Sequence, residues 1–276
     1  MTQHQPYAAA DGLVRVYPAG APGGAGLVWA HGGGFVAGDL DMPEADWVAR
    51  SFAARGIPVV SIDYRLVAGG RDVYPAASDD VLAAWSWAVS AAPGLGIDPD
   101  RLVVGGASAG ANLVTGAVLR LLAGEVPGLP TPAAVFLAYP TLLAVQPDPD
   151  PALRAALDAN PEADRFAPGR VREMYETYLG GPVEHPPLPA VPGLARPADL
   201  AGFPPALMVN DDVDELRVSG EAFGATLAAA GVAVEVVTEP GTEHGHLNRP
   251  DEPAASATVD RVVAWLARVA APQPTT

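Results

Sequence analysis

The residues best placed to do chemistry form the run Gly106-Ala107-Ser108-Ala109-Gly110. It follows the apolar run Leu102-Val103-Val104 and opens a helical pattern, Asn112-Leu113-Val114-Thr115. A serine flanked by glycines at this spacing, between a strand and a helix, sits on a strained turn that exposes its oxygen as a nucleophile. The plainer alternative is a Gly-rich tight turn with an N-capping serine. A phosphate cradle fits worse, because GGASAG is not G-x-G-x-x-G and the chain has no lysine to complete a P-loop.

A serine nucleophile needs donors for the oxyanion, a base, and an acid to orient the base. His31-Gly32-Gly33-Gly34 follows a second apolar run at 26–30, and its glycines leave backbone N–H groups unshielded at a strand end. Gly32 and Gly33, with the N–H of Ala109, are the expected oxyanion donors, and His31 is expected to organise the loop rather than transfer protons. Of the five histidines, His4 lies near the N-terminus and His185 in a proline-rich stretch. His244 and His246 remain, in a loop after the apolar run at 233–237, with His244 favoured as the base. The acid should follow the preceding strand, where Asp211, Asp212, Asp214 and Glu215 crowd together. Such a cluster is also what a helix N-terminus favours, and spacing does not choose among the three aspartates. A metal held by the His-x-His pair with Asp211 or Asp212 lacks an indicated third ligand, so no metal or cofactor is expected.

The elements that must position these residues alternate. Short apolar runs bounded by Gly and Pro predict strands at 13–17, 26–30, 57–62, 102–104, 134–138, 206–209 and 233–237. Ala-rich amphipathic stretches predict helices at 43–55, 75–91, 109–123, 216–230 and 253–269. That alternation is the pattern of βα units around a mostly parallel sheet flanked by helices. Gly56 and Gly231 stand where helix-ending glycines belong. Between Tyr139 and Pro205 the rhythm breaks into a Pro- and Asp-rich stretch with helical patches at 150–159 and 168–179. A connection of this length is usually functional. Residues 140–204 are therefore expected to form a small cap within one α/β domain spanning 1–276.

Composition narrows the partners. The 276 residues carry 32 acids against 16 bases, a net charge of −16, and 49% apolar residues. The apolar share supports a sizeable core, and the acidity argues against nucleic-acid or anionic-membrane partners. Without cysteine there is no disulfide framework, thiolate zinc site or cysteine nucleophile. The start, MTQHQPYAAADG, has neither a basic n-region nor an apolar h-region, and the long uncharged runs at 81–97, 102–119 and 126–147 are broken by Gly, Pro or polar residues. A cytoplasmic location is the expectation.

Taken together, the motifs resemble the hormone-sensitive-lipase-like family of α/β-hydrolase carboxylesterases. The resemblance rests on HGGGFVAGDLD (31–41), DYRL (63–66), YPAASDDV (74–81), DPDRLVVGGASAGANL (98–113), DELRVSGEAF (214–223) and HGH (244–246). The order Ser…Asp…His is also the α/β-hydrolase order. The family pattern selects Asp214 as the acid and His244 as the base. It implies an α/β-hydrolase fold and a serine carboxylesterase working through an acyl-enzyme on a small-molecule ester.

Three departures stand out. The oxyanion motif begins at residue 31, so the usual N-terminal cap helices are expected to be missing, leaving 140–204 to cover the site. Tyr64-Arg-Leu continues as Val-Ala-Gly69 rather than Ala-Pro-Glu, and His246 replaces the usual aromatic. An open site suggests short acyl chains or a bulky alcohol. Trp47, Tyr139, Met174 and Tyr178 are candidate pocket residues, with core packing as the plainer reading. A lactonase or amidase using the same residues, and a non-catalytic ligand receptor, are the alternatives. A homodimer through an edge strand or the last helix is compatible with the sequence.

Overall fold

The computed structural model describes residues 5–269, so His4 lies outside the described residues. Eight strands form one sheet: β1 (Tyr7–Ala9), β2 (Val14–Tyr17), β3 (Gly24–Ala30), β4 (Val59–Ile62), β5 (Ile97–Ala107), β6 (Val135–Ala138), β7 (Ala206–Val213) and β8 (Val234–Glu243). Their spatial order is β1-β2-β4-β3-β5-β6-β7-β8, with β1 and β2 antiparallel at one edge and the rest parallel. Seven α-helices accompany them: α1 (Asp46–Ala54), α2 (Ala76–Ala91), α3 (Ala109–Leu122), α4 (Pro151–Ala159), α5 (Pro168–Leu179), α6 (Arg217–Ala229) and α7 (Pro253–Val269). This is the mostly parallel, helix-flanked sheet that the alternating pattern predicted, in the α/β-hydrolase arrangement that the family resemblance implied.

Strand periodicity divides the core into two layers. Leu27 and Trp29 on β3, Val103 on β5 and Phe136 on β6 face α1 and α7, where Phe52 and Trp265 pack. Val28, Leu102, Val104, Leu137 and Met208 face the other way, toward α2, α3 and α6. Parallel strands buried on both faces read as continuous apolar runs, which is why they are visible in the sequence. The Arg65 guanidinium grips Asp80 of α2, its Nε at 2.8 Å from one carboxylate oxygen and its Nη2 at 2.9 Å from the other, tying two of the quoted motifs together.

Several expected boundaries move. β5 is much longer than 102–104, because its N-terminal half runs through the exposed Asp98-Pro99-Asp100 and its C-terminal half through small buried residues. β7 and β8 continue as a polar ribbon, pairing Asn210 with Thr238 and Asp211 with Glu239. Asp211 and Asp212 therefore lie on a strand rather than at a helix start. β1, only three residues long, was not expected. Within 140–204, α4 starts on an Asp150 cap that accepts the Ala152 and Leu153 N–H groups at 2.8 Å. Val171, Tyr175 and Tyr178 of α5 join the main core, whereas Leu153, Leu157 and Ala163 make a small cluster of their own. No helix among the described residues is long and apolar enough to cross a membrane.

Candidate active site

Ser108 stands at the turn between β5 and α3 with φ 50° and ψ −116°, a conformation L-residues rarely adopt. Its glycines are required by close approach. A Cβ on Gly106 would lie 2.5 Å from the Gly110 carbonyl, and one on Gly110 would collide with the Ala30 and His31 carbonyl oxygens. The strained turn is held by the Ser108 N–H donating to Ala138 at 2.9 Å.

His244 follows β8 directly, and Asp214 follows β7, so the pairing of the two strands brings them together. Val213 pairs with Glu243 across an irregularity in register that lets the two loops converge. His244 Nε2 lies 3.0 Å from Ser108 Oγ, and its Nδ1 lies 2.7 Å from Asp214 Oδ2. Asp214 is fully buried, and its other oxygen accepts the Leu216 N–H at 3.0 Å. With Nδ1–H donating to the carboxylate, the Nε2 lone pair faces the serine hydroxyl. Burial disfavours the imidazolium. The Asp214 carboxylate outweighs it, with smaller contributions from Asp211 and Glu44, and raises His244 above its ordinary pKa.

Among the other acids, Asp212 accepts the Gly241 N–H at 2.9 Å and meets Arg217. Asp211 turns inward to His246. Both His246 nitrogens are engaged, Nδ1 with Asp211 and Nε2 with Thr258 at 2.9 Å, so the His-x-His pair does not converge on a metal site. Asp211, Asp214 and His244 have potential ligand atoms within 4.8 Å of one another. A cation there would have to displace the Nδ1 proton that bonds Asp214, so these groups fit a hydrogen-bonded relay better.

The glycine loop corrects one expectation. The Gly32 N–H is not free for an oxyanion, because it donates to Glu44 Oε1 at 2.5 Å. Among the described residues, the N–H groups of Gly33, Gly34 and Ala109 donate to no other protein group. His31 is fully buried and its carbonyl accepts the Tyr64 hydroxyl at 2.8 Å, with the two rings stacked 4.5 Å apart, so it organises the loop. The Glu44 carboxylate, almost fully buried, also accepts from Tyr139 Oη at 2.5 Å and Asn248 Nδ2 at 3.0 Å. Nothing in the sequence separates Glu44 from an ordinary acid before a helix.

The four candidate pocket residues divide. Trp47 is half-buried and packs against the core layer of α1 and α7, and Tyr178 is a buried core residue with its ring stacked on Phe35 at 4.0 Å. Tyr139 lies edge-on to His244 at 5.1 Å but is buried, its hydroxyl spent on Glu44. Met174 lies beside Gly34, its Sδ 3.4 Å from where a Cβ would stand. Sequence reasoning missed Phe166, whose ring meets His244 edge-on at 4.5 Å, and Arg165, which donates to the His244 carbonyl at 3.1 Å. Only an aromatic within a Pro- and Asp-rich stretch hinted at Phe166.

Comparison with known proteins agrees with this architecture. The sequence profile described as alpha/beta hydrolase fold matches residues 27–248. Carboxylesterase NlhH of Mycobacterium tuberculosis is 38% identical over 253 residues, covering 88% of this chain and 73% of its own. Ethyl acetate hydrolase of Pseudomonas putida is 35% identical over 229 residues, covering 80% and 65%. The solved structure of brefeldin A esterase, described as a bacterial homologue of human hormone-sensitive lipase, is 28% identical with a TM-score of 0.76, covering 96% of this chain and 76% of its own. By sequence and fold alike, the chain belongs to the hormone-sensitive-lipase-like family of α/β-hydrolase carboxylesterases.

Proposed function

We propose that this protein is a serine carboxylesterase acting on short-acyl esters through an acyl-enzyme. The observation that carries the proposal is His244 bridging Ser108 Oγ at 3.0 Å and Asp214 at 2.7 Å. Ser108 Oγ attacks the ester carbonyl while His244 Nε2 takes its proton. The oxyanion rests on the N–H groups of Gly33, Gly34 and Ala109, the donors left free beside the serine. Collapse expels the alcohol, which leaves with the proton from His244, and an acyl-Ser108 ester remains. His244 then deprotonates a water that attacks this ester, releasing the acid and returning the proton to Ser108.

Residues 140–204 serve in this reading as the cover of the acyl site within a single domain. Phe166 and Arg165 touch His244, and Asn160 donates to Glu243 Oε1 at 2.6 Å. Ser108 is only 7% exposed, with Phe166 close by and Met174 against the glycine loop. Such crowding suits a short acyl group, as does similarity to a relative named for ethyl acetate. The test is hydrolysis of p-nitrophenyl acetate, butyrate and octanoate by wild type and Ser108→Ala. Preference for the short esters, lost in the variant, is expected. Equal hydrolysis by both proteins near the background rate refutes the assignment.

A further inference from the structure

The site holds a second carboxylate–imidazole pair that the proposed reaction does not use. Asp211 and His246 are both fully buried, and Asp211 Oδ1 is hydrogen-bonded to His246 Nδ1. Asp211 Oδ2 accepts the N–H of Gly245, the residue after His244, at 2.8 Å. On its far side, His246 Nε2 meets Thr258 Oγ1 of α7 at 2.9 Å. Thr258 in turn stands 3.5 Å from Glu239 Oε2, which pairs with Arg261 at 3.2 Å. The Tyr139 ring lies edge-on to both histidines, at 5.1 Å from His244 and 5.2 Å from His246.

Packing alone does not call for such a pair, since two apolar side chains of similar volume often fill such a space without loss of stability. Its position does more. Asp211, Asp214 and His244 place a carboxylate oxygen or ring nitrogen within 4.8 Å of one another, in a site where little water screens them. Resting on the reading of His244 as the base, we infer that Asp211 is a positioning residue that tunes His244, a second carboxylate anchored by His246 and Gly245. Other charged groups face His244 too: Asp214 from the turn after β7, Glu44 from the segment before α1, and Arg165 at its carbonyl. Asp211 adds to the pull of Asp214 on the imidazolium, in the same direction as the raised His244 pKa.

The test is Asp211→Asn, which removes the charge and keeps the hydrogen bonds. The new carbonyl accepts from Gly245, and the new amide donates to His246 in its other tautomer, whose Nε2–H then donates to Thr258. The readouts are the acid limb of kcat/KM against pH on p-nitrophenyl acetate and the His244 ring-proton titration by NMR, assigned against His244→Asn. Both midpoints are expected to fall by about one unit, and the plateau by about threefold because a weaker base takes the proton less readily. Midpoints that stay at the wild-type values overturn the role of Asp211, whatever happens to the plateau. If Asp211→Asn fails to fold, the double variant Asp211→Ala/His246→Phe, which replaces the pair with apolar side chains, undergoes the same two measurements. Ser108→Ala runs alongside. Hydrolysis that persists in it overturns the esterase reading itself, whereas Ser108-dependent hydrolysis with an unmoved limb overturns only the tuning by Asp211.

Discussion

Replacing Glu44 tests whether its buried carboxylate holds the oxyanion loop in place. Its two oxygens satisfy two buried donors, Gly32 N–H at 2.5 Å and Tyr139 Oη at 2.5 Å, and the half-buried Asn248 Nδ2 at 3.0 Å. Glutamine keeps one acceptor for Gly32, and the Tyr139 hydroxyl can turn to accept from its amide, but Asn248 Nδ2 is left without an acceptor. A buried orphaned donor costs about 1–3 kcal/mol. The half-buried Asn248 amide lies at the low end, about 1 kcal/mol, and alanine, which also orphans the two buried donors, costs about 4 kcal/mol or more. Because Gly32 leads directly into Gly33 and Gly34, loosening it displaces the proposed donors. Loss of one such donor lowers kcat by about 100- to 1000-fold, which bounds the fall expected for Glu44→Ala from above, with Glu44→Gln nearer tenfold. The assay pairs urea unfolding with kcat and KM on p-nitrophenyl acetate, and the fall should lie in kcat rather than KM. A Glu44→Ala protein with wild-type stability and kcat refutes the reasoning.

A second prediction concerns pH and stability. Burial first, then the neighbouring Asp164 carboxyl, pushes Glu215 up to about 7 from its ordinary 4.5. The folded chain therefore holds a proton that the unfolded chain has released, so this group's stabilisation is lost as pH rises from about 4.5 through 7. Glu215→Gln should gain stability over wild type between pH 5 and pH 8 by about 2 kcal/mol in urea unfolding, and a difference that is flat with pH counts against it. The third concerns Phe166, whose ring lies 4.5 Å from His244. Phe166→Ala should raise the octanoate-to-acetate ratio of kcat/KM by about tenfold, since pocket methylenes discriminate by roughly 1–3 kcal/mol each, and an unchanged ratio removes Phe166 from the acyl site.

Much of the fold shows in local pattern. The strands β3, β4 and β6 and the apolar parts of β5 and β7 are visible as apolar runs because both faces are buried, β8 at the exposed edge of the sheet as a short valine-rich run, and the helices as Ala-rich amphipathic stretches. The polar extension of β7 and β8 is not, since Asn210 to Val213 pair only because a neighbouring strand continues alongside. Their acids, read without that neighbour, look like the start of a helix.

The site divides along the same line. The glycines about Ser108 are demanded by the strand-turn-helix itself, where Gly106 must clear Gly110 a few residues away, so their spacing announces the turn in the sequence. Which acid meets His244 depends on the register of β7 against β8, which buries Asp211 against His246 and leaves Asp214 to face His244. The capture of the Gly32 N–H by Glu44, and the arrival of Phe166 over His244, join residues far apart in the chain or on separate elements. Local steric demands leave a mark on neighbouring residue types, whereas a hydrogen bond closed by folding leaves none, because any buried acid or aromatic of the right reach satisfies it.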